Sequence, residues 1–166
     1  NITLINQFEI CGKEKYGTAV PIEAIEKHIE DKTFIAVYGD NLYSPDDVKS
    51  LINTEDISHI SVIEHENPKK YGVAEIDKDG FLKQVIEKPE IPPSNLINTG
   101  LYKFTEEIFK EVKRVTLSSR GEYELTDAVQ ALAEQHRMKV FKLKDYWVDF
   151  GSPEDIPKVE EFLKKA

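Results

Sequence analysis

Phe34-Ile35-Ala36-Val37-Tyr38-Gly39-Asp40 is the stretch on which the fold turns. An unbroken apolar run closed by glycine and aspartate suits a strand buried on both faces of a parallel sheet, not the alternating strand of a half-solvated one. The flanks support this. Upstream, Gly17-Thr18 precedes Ile22, Ile25 and Ile29, a helical stripe, with Pro21 in the first turn, where a missing N–H does little harm. Downstream, Ser44-Pro45-Asp46-Asp47 has the form of a helix start: an N-cap, a proline at the first helical position and acids in the first turn. Val48, Leu51 and Ile52 supply that helix's buried side. Residues 57–63 are a further strand and residues 2–8 can be an initial one. Strands alternating with helices imply parallel strands joined by crossovers.

The pattern then changes. Residues 71–76 and 81–87 flank Asp77-Lys78-Asp79-Gly80, a hairpin turn. Pro89, Pro92 and Pro93 mark a rigid loop before a strand at 96–104. Thr105 and Thr126 are placed to cap helices carrying Ile108, Phe109 and Val112, and Val129, Leu132 and Ala133. Short strands at 139–143 and 146–148 follow. Ser152-Pro153-Glu154-Asp155 opens a last helix with Ile156, Val159 and Leu163 on one face. The expected fold is a single α/β domain over residues 1–166, a three-layer Rossmann-like arrangement with a mostly parallel sheet and an antiparallel insertion from about 71 to 104. Ligands on such sheets bind beyond the carboxyl ends of the strands.

Composition narrows the function. The 166 residues can bury roughly 70% of the surface an unfolded chain exposes. Lys and Arg number 22 against 31 Asp and Glu, a formal net charge of -9. That excludes broad nucleic-acid binding, which needs a positive face to displace counterions, but not phosphate-bearing small molecules. No stretch of 18 apolar residues offers a membrane span. Cys11 is the single cysteine, so no intrachain disulfide forms, and a reducing, cytoplasmic setting fits.

Several residues could carry chemistry. Asp40 follows a buried strand and Gly39. Asp149, in Trp147-Val148-Asp149-Phe150-Gly151, also sits between a strand and a helix start. Two carboxylates converging on one crevice would hold magnesium, which takes a few carboxylates plus phosphate oxygens, although glycine–aspartate pairs also close ordinary turns. Lys88 could meet a phosphate as a point charge while Glu87 accepts hydrogen bonds from hydroxyls; a surface ion pair is the plainer reading. Gly17-Thr18-Ala19 could admit a base or ribose to the backbone, or simply start a helix. Tyr71-Gly72 could do the same for another ligand, or merely begin a strand. Asn98-Thr99-Gly100, polar within an apolar strand, signals a bulge or a ligand. Residues 122–127 suit a hydrogen-bonded helix entry. His28, His59, His65 and His136 lack ligand-like spacing.

The order of these pieces is more specific than any one of them. Gly17-Thr18-Ala19, Tyr38-Gly39-Asp40-Asn41, Tyr71-Gly72-Val73, Val85-Ile86-Glu87-Lys88-Pro89, Asn98-Thr99-Gly100, residues 122–127 and residues 147–153 together resemble the sugar-1-phosphate nucleotidylyltransferases. The proline-rich loop and Arg120-Gly121-Glu122-Tyr123 look most like the glucose-1-phosphate thymidylyltransferase and N-acetylglucosamine-1-phosphate uridylyltransferase branches. The resemblance implies magnesium on Asp40 and Asp149, the nucleotide base near Gly17 and Thr18, the sugar at Gly72, Glu87 and Asn98, and its phosphate on Lys88, with Thr99 and Trp147 shaping the pocket. The implied reaction is attack by a sugar 1-phosphate oxygen on the α-phosphorus of dTTP or UTP, with pyrophosphate leaving.

The family begins with a strand and a glycine-rich loop bearing arginine and lysine. No such segment precedes Gly17. The expectation is therefore a domain N-terminally incomplete by a strand–loop–helix unit of ~30 residues, with turnover dependent on that unit. A second copy of the chain or a complementing N-terminal segment would cover the opened sheet edge. Two other functions stay open: a non-catalytic module binding sugar phosphates or nucleotide sugars, and a metal-dependent glycosyltransferase, which would carry Asp-x-Asp where this chain has Gly39-Asp40-Asn41.

Overall fold

The computed structural model describes residues 2–165. Its strands are β1 (Thr33–Val37), β2 (Asn41–Tyr43), β3 (Ser58–Glu64), β4 (Gly72–Ile76), β5 (Leu82–Glu87), β6 (Leu96–Thr105), β7 (Met138–Lys142) and β8 (Trp147–Asp149). The helices are α1 (Gln7–Cys11), α2 (Ala19–Ile25), α3 (Pro45–Ile52), α4 (Ile108–Val112), α5 (Leu125–Glu134) and α6 (Ile156–Lys165). The main sheet is assembled around β6. One side of it pairs with β3, the other with β4 and then β1; β5 and β7 close the ends of the order β5-β4-β6-β3-β7.

The α/β class and the helices on both faces agree with the sequence. The strand neighbourhoods correct it in part. β1, β3, β4 and β7 run in one direction, but only β3 and β7 are adjacent and parallel; the other pairings are antiparallel. The α3 crossover does not bring β3 beside β1. β6, expected inside a peripheral insertion, enters between them, because both of its faces are apolar enough to be central. Tyr102 and Phe104 pack under α2, α4 and α5, while Leu101 packs with Leu51 of α3.

β6 also carries a polar anchor. Buried Lys103 donates from Nζ to the carbonyls of Ile52, Thr54 and Glu55 at 3.1, 2.8 and 3.3 Å. Ile52 is the last residue of α3, whose end leaves carbonyls without intrahelical donors, and Thr54 and Glu55 follow it in the turn beyond. The Asp77–Gly80 turn is as expected: Asp77 Oδ1 accepts from the N–H groups of Asp79 and Phe81, both at 2.9 Å.

Other expectations are corrected. In the described part of residues 2–8, Ile2 and Leu4 lie almost wholly exposed with no partner strand, and Asn6 caps α1 instead by accepting from Phe8 N–H; Asn1 lies outside the described residues. Ile52 is half exposed, off the buried face of α3. Thr105 ends β6 with its hydroxyl on Ser58 Oγ at 3.2 Å, so it does not cap α4. Thr126 lies inside α5, whose N-cap is Glu124. β1 is not buried on both faces: Val37 is 55% exposed, because β6 is the only strand paired with β1 among the described residues.

Candidate functional site

A two-stranded ribbon, β2 with β8, lies against the sheet at its bulge. Asn41 pairs with Asp149 across this ribbon. Its anchor is a single carbonyl, that of Thr99, which accepts from Tyr43 OH at 2.7 Å and Trp147 Nε1 at 3.1 Å. The carbonyl is free because β6 bulges there: its pairing with β3 slips between Ile60 and Val62. Gly100 makes the bulge with φ 74°, and Tyr38 N–H donates to its carbonyl at 3.0 Å. A side chain at Gly100 would collide with the Tyr38 ring. The polar triplet in an apolar strand is thus a bulge that carries the site's floor.

Between ribbon and sheet opens a cleft of about 230 Å³. Of the residues singled out from sequence it gathers Thr18, Asp40, Gly72, Glu87, Lys88, Asn98 and Asp149. Gly17 and Gly39 stand outside its lining. What approaches Gly17 (φ 135°) is the backbone of Tyr123, whose carbonyl accepts from Ala19 N–H at 2.9 Å. Gly39 lines a neighbouring groove with Val37 and Pro21.

The carboxylates are distinct. Asp40 Oδ1 accepts from Asn41 Nδ2 at 2.8 Å. Asp149 Oδ2 accepts from Tyr71 OH at 3.3 Å. Burial raises the Asp149 carboxyl above its ordinary value; Tyr71 opposes this, and the Asp155 and Asp40 charges add to it. Glu87 is also raised by burial, with Lys88 and Arg120 pulling it down and Glu124 pushing it up. A methyl group at Gly72 would sit 3.1 Å from Glu87 Oε2, so glycine keeps the space above that carboxylate open.

Asn98 is turned inward: its Nδ2 donates to Tyr102 OH at 2.6 Å and its Oδ1 accepts from Gly100 N–H at 3.0 Å. It braces the bulge as well as lining the cleft. Lys88 stands at the rim in a left-handed conformation, φ 45°, and its N–H donates to the Tyr71 carbonyl at 3.1 Å. Non-glycine residues held this way cost about 1–2 kcal/mol, and such strain concentrates at binding sites.

The cleft also contains residues that sequence reasoning did not single out for the site, Lys70, Arg120, Glu124 and Thr126 among them. Arg120 faces Glu87 at 3.4 Å and Glu122 and Glu124 at 3.7 Å. Two acids close behind one arginine were the available signal. Lys70 left none, since only the fold brings it beside the cleft. Asp40 and Asp149 could hold a divalent cation. The donor set fits: two carboxylates on neighbouring chain segments, plus Asn41 Oδ1, buried and without a hydrogen-bond partner. Among the described residues no cluster of three or more His, Cys, Asp or Glu forms a fuller cage, and no helix is long and apolar enough to cross a membrane.

A family model described as nucleotidyl transferase matches residues 3–166. The chain is 42% identical over 147 residues to a bifunctional sugar-1-phosphate nucleotidylyltransferase/acetyltransferase of Sulfurisphaera tokodaii, covering 88% of this chain and 36% of that one. To the UTP–glucose-1-phosphate uridylyltransferase AglF of Haloferax volcanii it is 34% identical over 159 residues, covering 92% and 65%. It thus spans about a third of the first relative and two thirds of the second. A solved UDP-glucose pyrophosphorylase complexed with UDP-glucose superimposes with a TM-score of 0.79 at 28% identity, covering 93% of this chain and 64% of that one.

Proposed function

The chain belongs to the nucleotidyl transferase family, and on that premise we propose that its cleft binds a sugar 1-phosphate and presents it to the α-phosphorus of a nucleoside triphosphate, UTP or dTTP. The observation that carries this reading is the convergence of Glu87 and Lys88 with Asp40 and Asp149 in one cleft. Lys88 meets the sugar's phosphate. Glu87 accepts from sugar hydroxyls over the space that Gly72 leaves. Asp40 and Asp149 would hold magnesium, which when bound neutralises phosphate charge. A phosphate oxygen of the sugar 1-phosphate forms the new bond to the α-phosphorus as the bond to pyrophosphate breaks. The nucleophile is already anionic, so no residue needs to remove a proton. The side chains contribute position and charge, which carry most of phosphoryl-transfer catalysis.

The test is magnesium-dependent pyrophosphate release from UTP or dTTP with glucose 1-phosphate or N-acetylglucosamine 1-phosphate, run beside Asp40→Ala. Release that disappears in the variant supports transfer. No release with any pair, while sugar phosphate still binds, would leave the chain a binding module and overturn transfer.

A further inference from the structure

The cleft holds three cations, but they are not equally available. Arg120 is surrounded by Glu87, Glu122 and Glu124. A guanidinium facing three carboxylates is already engaged, and a phosphate placed there competes with them. Among the described residues, the ammonium groups of Lys70 and Lys88 have no hydrogen bond or ion pair within 4 Å. Both line the cleft and both are exposed. The chain segments that carry them are also tied to each other. β4 and β5 pair with Gly72 opposite Glu87, and Lys88 N–H bonds the Tyr71 carbonyl. Lys70, one residue before Tyr71 in the turn Pro68–Lys70, therefore stands at the same end of the hairpin as Lys88.

We propose that Lys70 is a second phosphate-binding residue, forming with Lys88 a two-lysine rim that recognises the dianionic monoester of a sugar 1-phosphate. This rests on the site reading above and deepens it. Two ammonium groups match a doubly charged monoester, whereas one lysine would serve a singly charged diester equally well. The backbone bond between Lys88 and Tyr71 brings the two lysines to the same end of the hairpin. Because the second proton of a phosphate monoester leaves near pH 6, affinity gained from the pair depends on pH across that value. Only the dianion uses both lysines.

The experiment is calorimetric titration with glucose 1-phosphate and N-acetylglucosamine 1-phosphate at pH 7.5 and pH 5. The proteins are the whole chain, Lys70→Ala, Lys70→Arg and Lys88→Ala, each checked for unchanged thermal unfolding. Lys70→Ala is expected to weaken binding roughly tenfold at pH 7.5, the loss of one charge-assisted contact, and by much less at pH 5. Lys70→Arg should restore most of it. Lys70→Ala within twofold of the parent at both pH values, with Lys88→Ala clearly weakened, overturns the two-lysine rim and leaves the site reading intact. No loss in either alanine variant, or no binding by the parent chain, overturns both. Equal loss at the two pH values shows a lysine that does not discriminate charge state, and overturns the dianion claim.

Discussion

The two flanks of the cleft are built to different standards. On the flank formed by β4, β5, β6 and the β2–β8 ribbon, functional side chains are held by partners. Asp149 is held by Tyr71, Glu87 by Arg120, Asn98 by Tyr102 and Gly100, and the ribbon by two donors on the Thr99 carbonyl. On the flank of β1 and α2, β1 has one strand partner among the described residues, Val37 is 55% exposed, and a groove of about 430 Å³ runs past Pro21, Ile22 and Ala36. Thr18, Tyr38 and Asp40 line both the cleft and this groove. The difference teaches that, on the function proposed above, the two flanks would contribute unequally. The first flank would be the one preorganised for a sugar phosphate, and preorganisation is where affinity is gained. The second offers an open strand edge and few polar groups to grip anything as charged as a triphosphate.

The largest effect expected is on chemistry from the built flank. Lys88→Ala and Asp149→Asn should each lower kcat/KM on the order of 10²-fold or more, as loss of one charged contact to a transition state does. Steady-state pyrophosphate release measures this. The two should part in stability. Asp149 carries a carboxylate raised by burial and by Asp155 and Asp40, so its charged form opposes folding, and the asparagine variant should melt no lower than the parent. A raised carboxyl in the folded state also means stability grows as pH falls toward its unfolded value of about 3.9. Magnesium-dependent binding runs the opposite way, beginning to fail at a pH above that of an ordinary aspartate. Finding both at the ordinary value would remove Asp149 from the desolvated site.

Next comes the joint between the flanks. Gly100→Ala drives a methyl group into the Tyr38 ring and forces an alanine to φ 74°. The conformational penalty and the overpacking together should cost roughly 2–4 kcal/mol, read from the midpoint of urea unfolding. Gly80→Ala, at φ 86° but with open space around it, should cost only the conformational part, about 1–2 kcal/mol. Equal losses would mean that Tyr38 is free to move and does not tie the flanks together.

The contrast between flanks also explains what could be read from sequence. Asp40, Glu87, Lys88 and Asp149 were legible because each ends or follows a strand and sits in an ordered motif. The β4–β5 hairpin was legible from its turn residues. The central place of β6 was not. Residues 34–38 and 57–63 read as neighbouring parallel strands, and nothing in their own pattern says that a later strand will pass between them. The apolar run of β1 suggested burial on both sides, yet among the described residues β1 pairs with β6 alone, and apolar residues fit such an edge equally well. Lys70 and Lys103 read as ordinary lysines, and only the fold separates the one beside the cleft from the one buried under α3. Thr105 and Thr126 obeyed the capping rule in sequence, but the Thr105 hydroxyl turns to Ser58, and Glu107 and Glu124 are the N-caps of α4 and α5.

The smallest effect is expected on the open flank, and it is the one that decides whether the flank is open in solution. Val37 lies on the outer part of β1, with more than half its surface exposed. Val37→Lys removes little buried surface and places a charge where strand edges commonly carry one to block pairing. In a chain whose β1 edge meets only water, it should change stability by less than about 0.5 kcal/mol and leave sugar 1-phosphate affinity within twofold. A larger loss, dependent on protein concentration and accompanied by a drop in sedimentation coefficient, would mean that a second copy covers β1. The contrast between a braced and an open flank would then hold for one chain and vanish in the assembly.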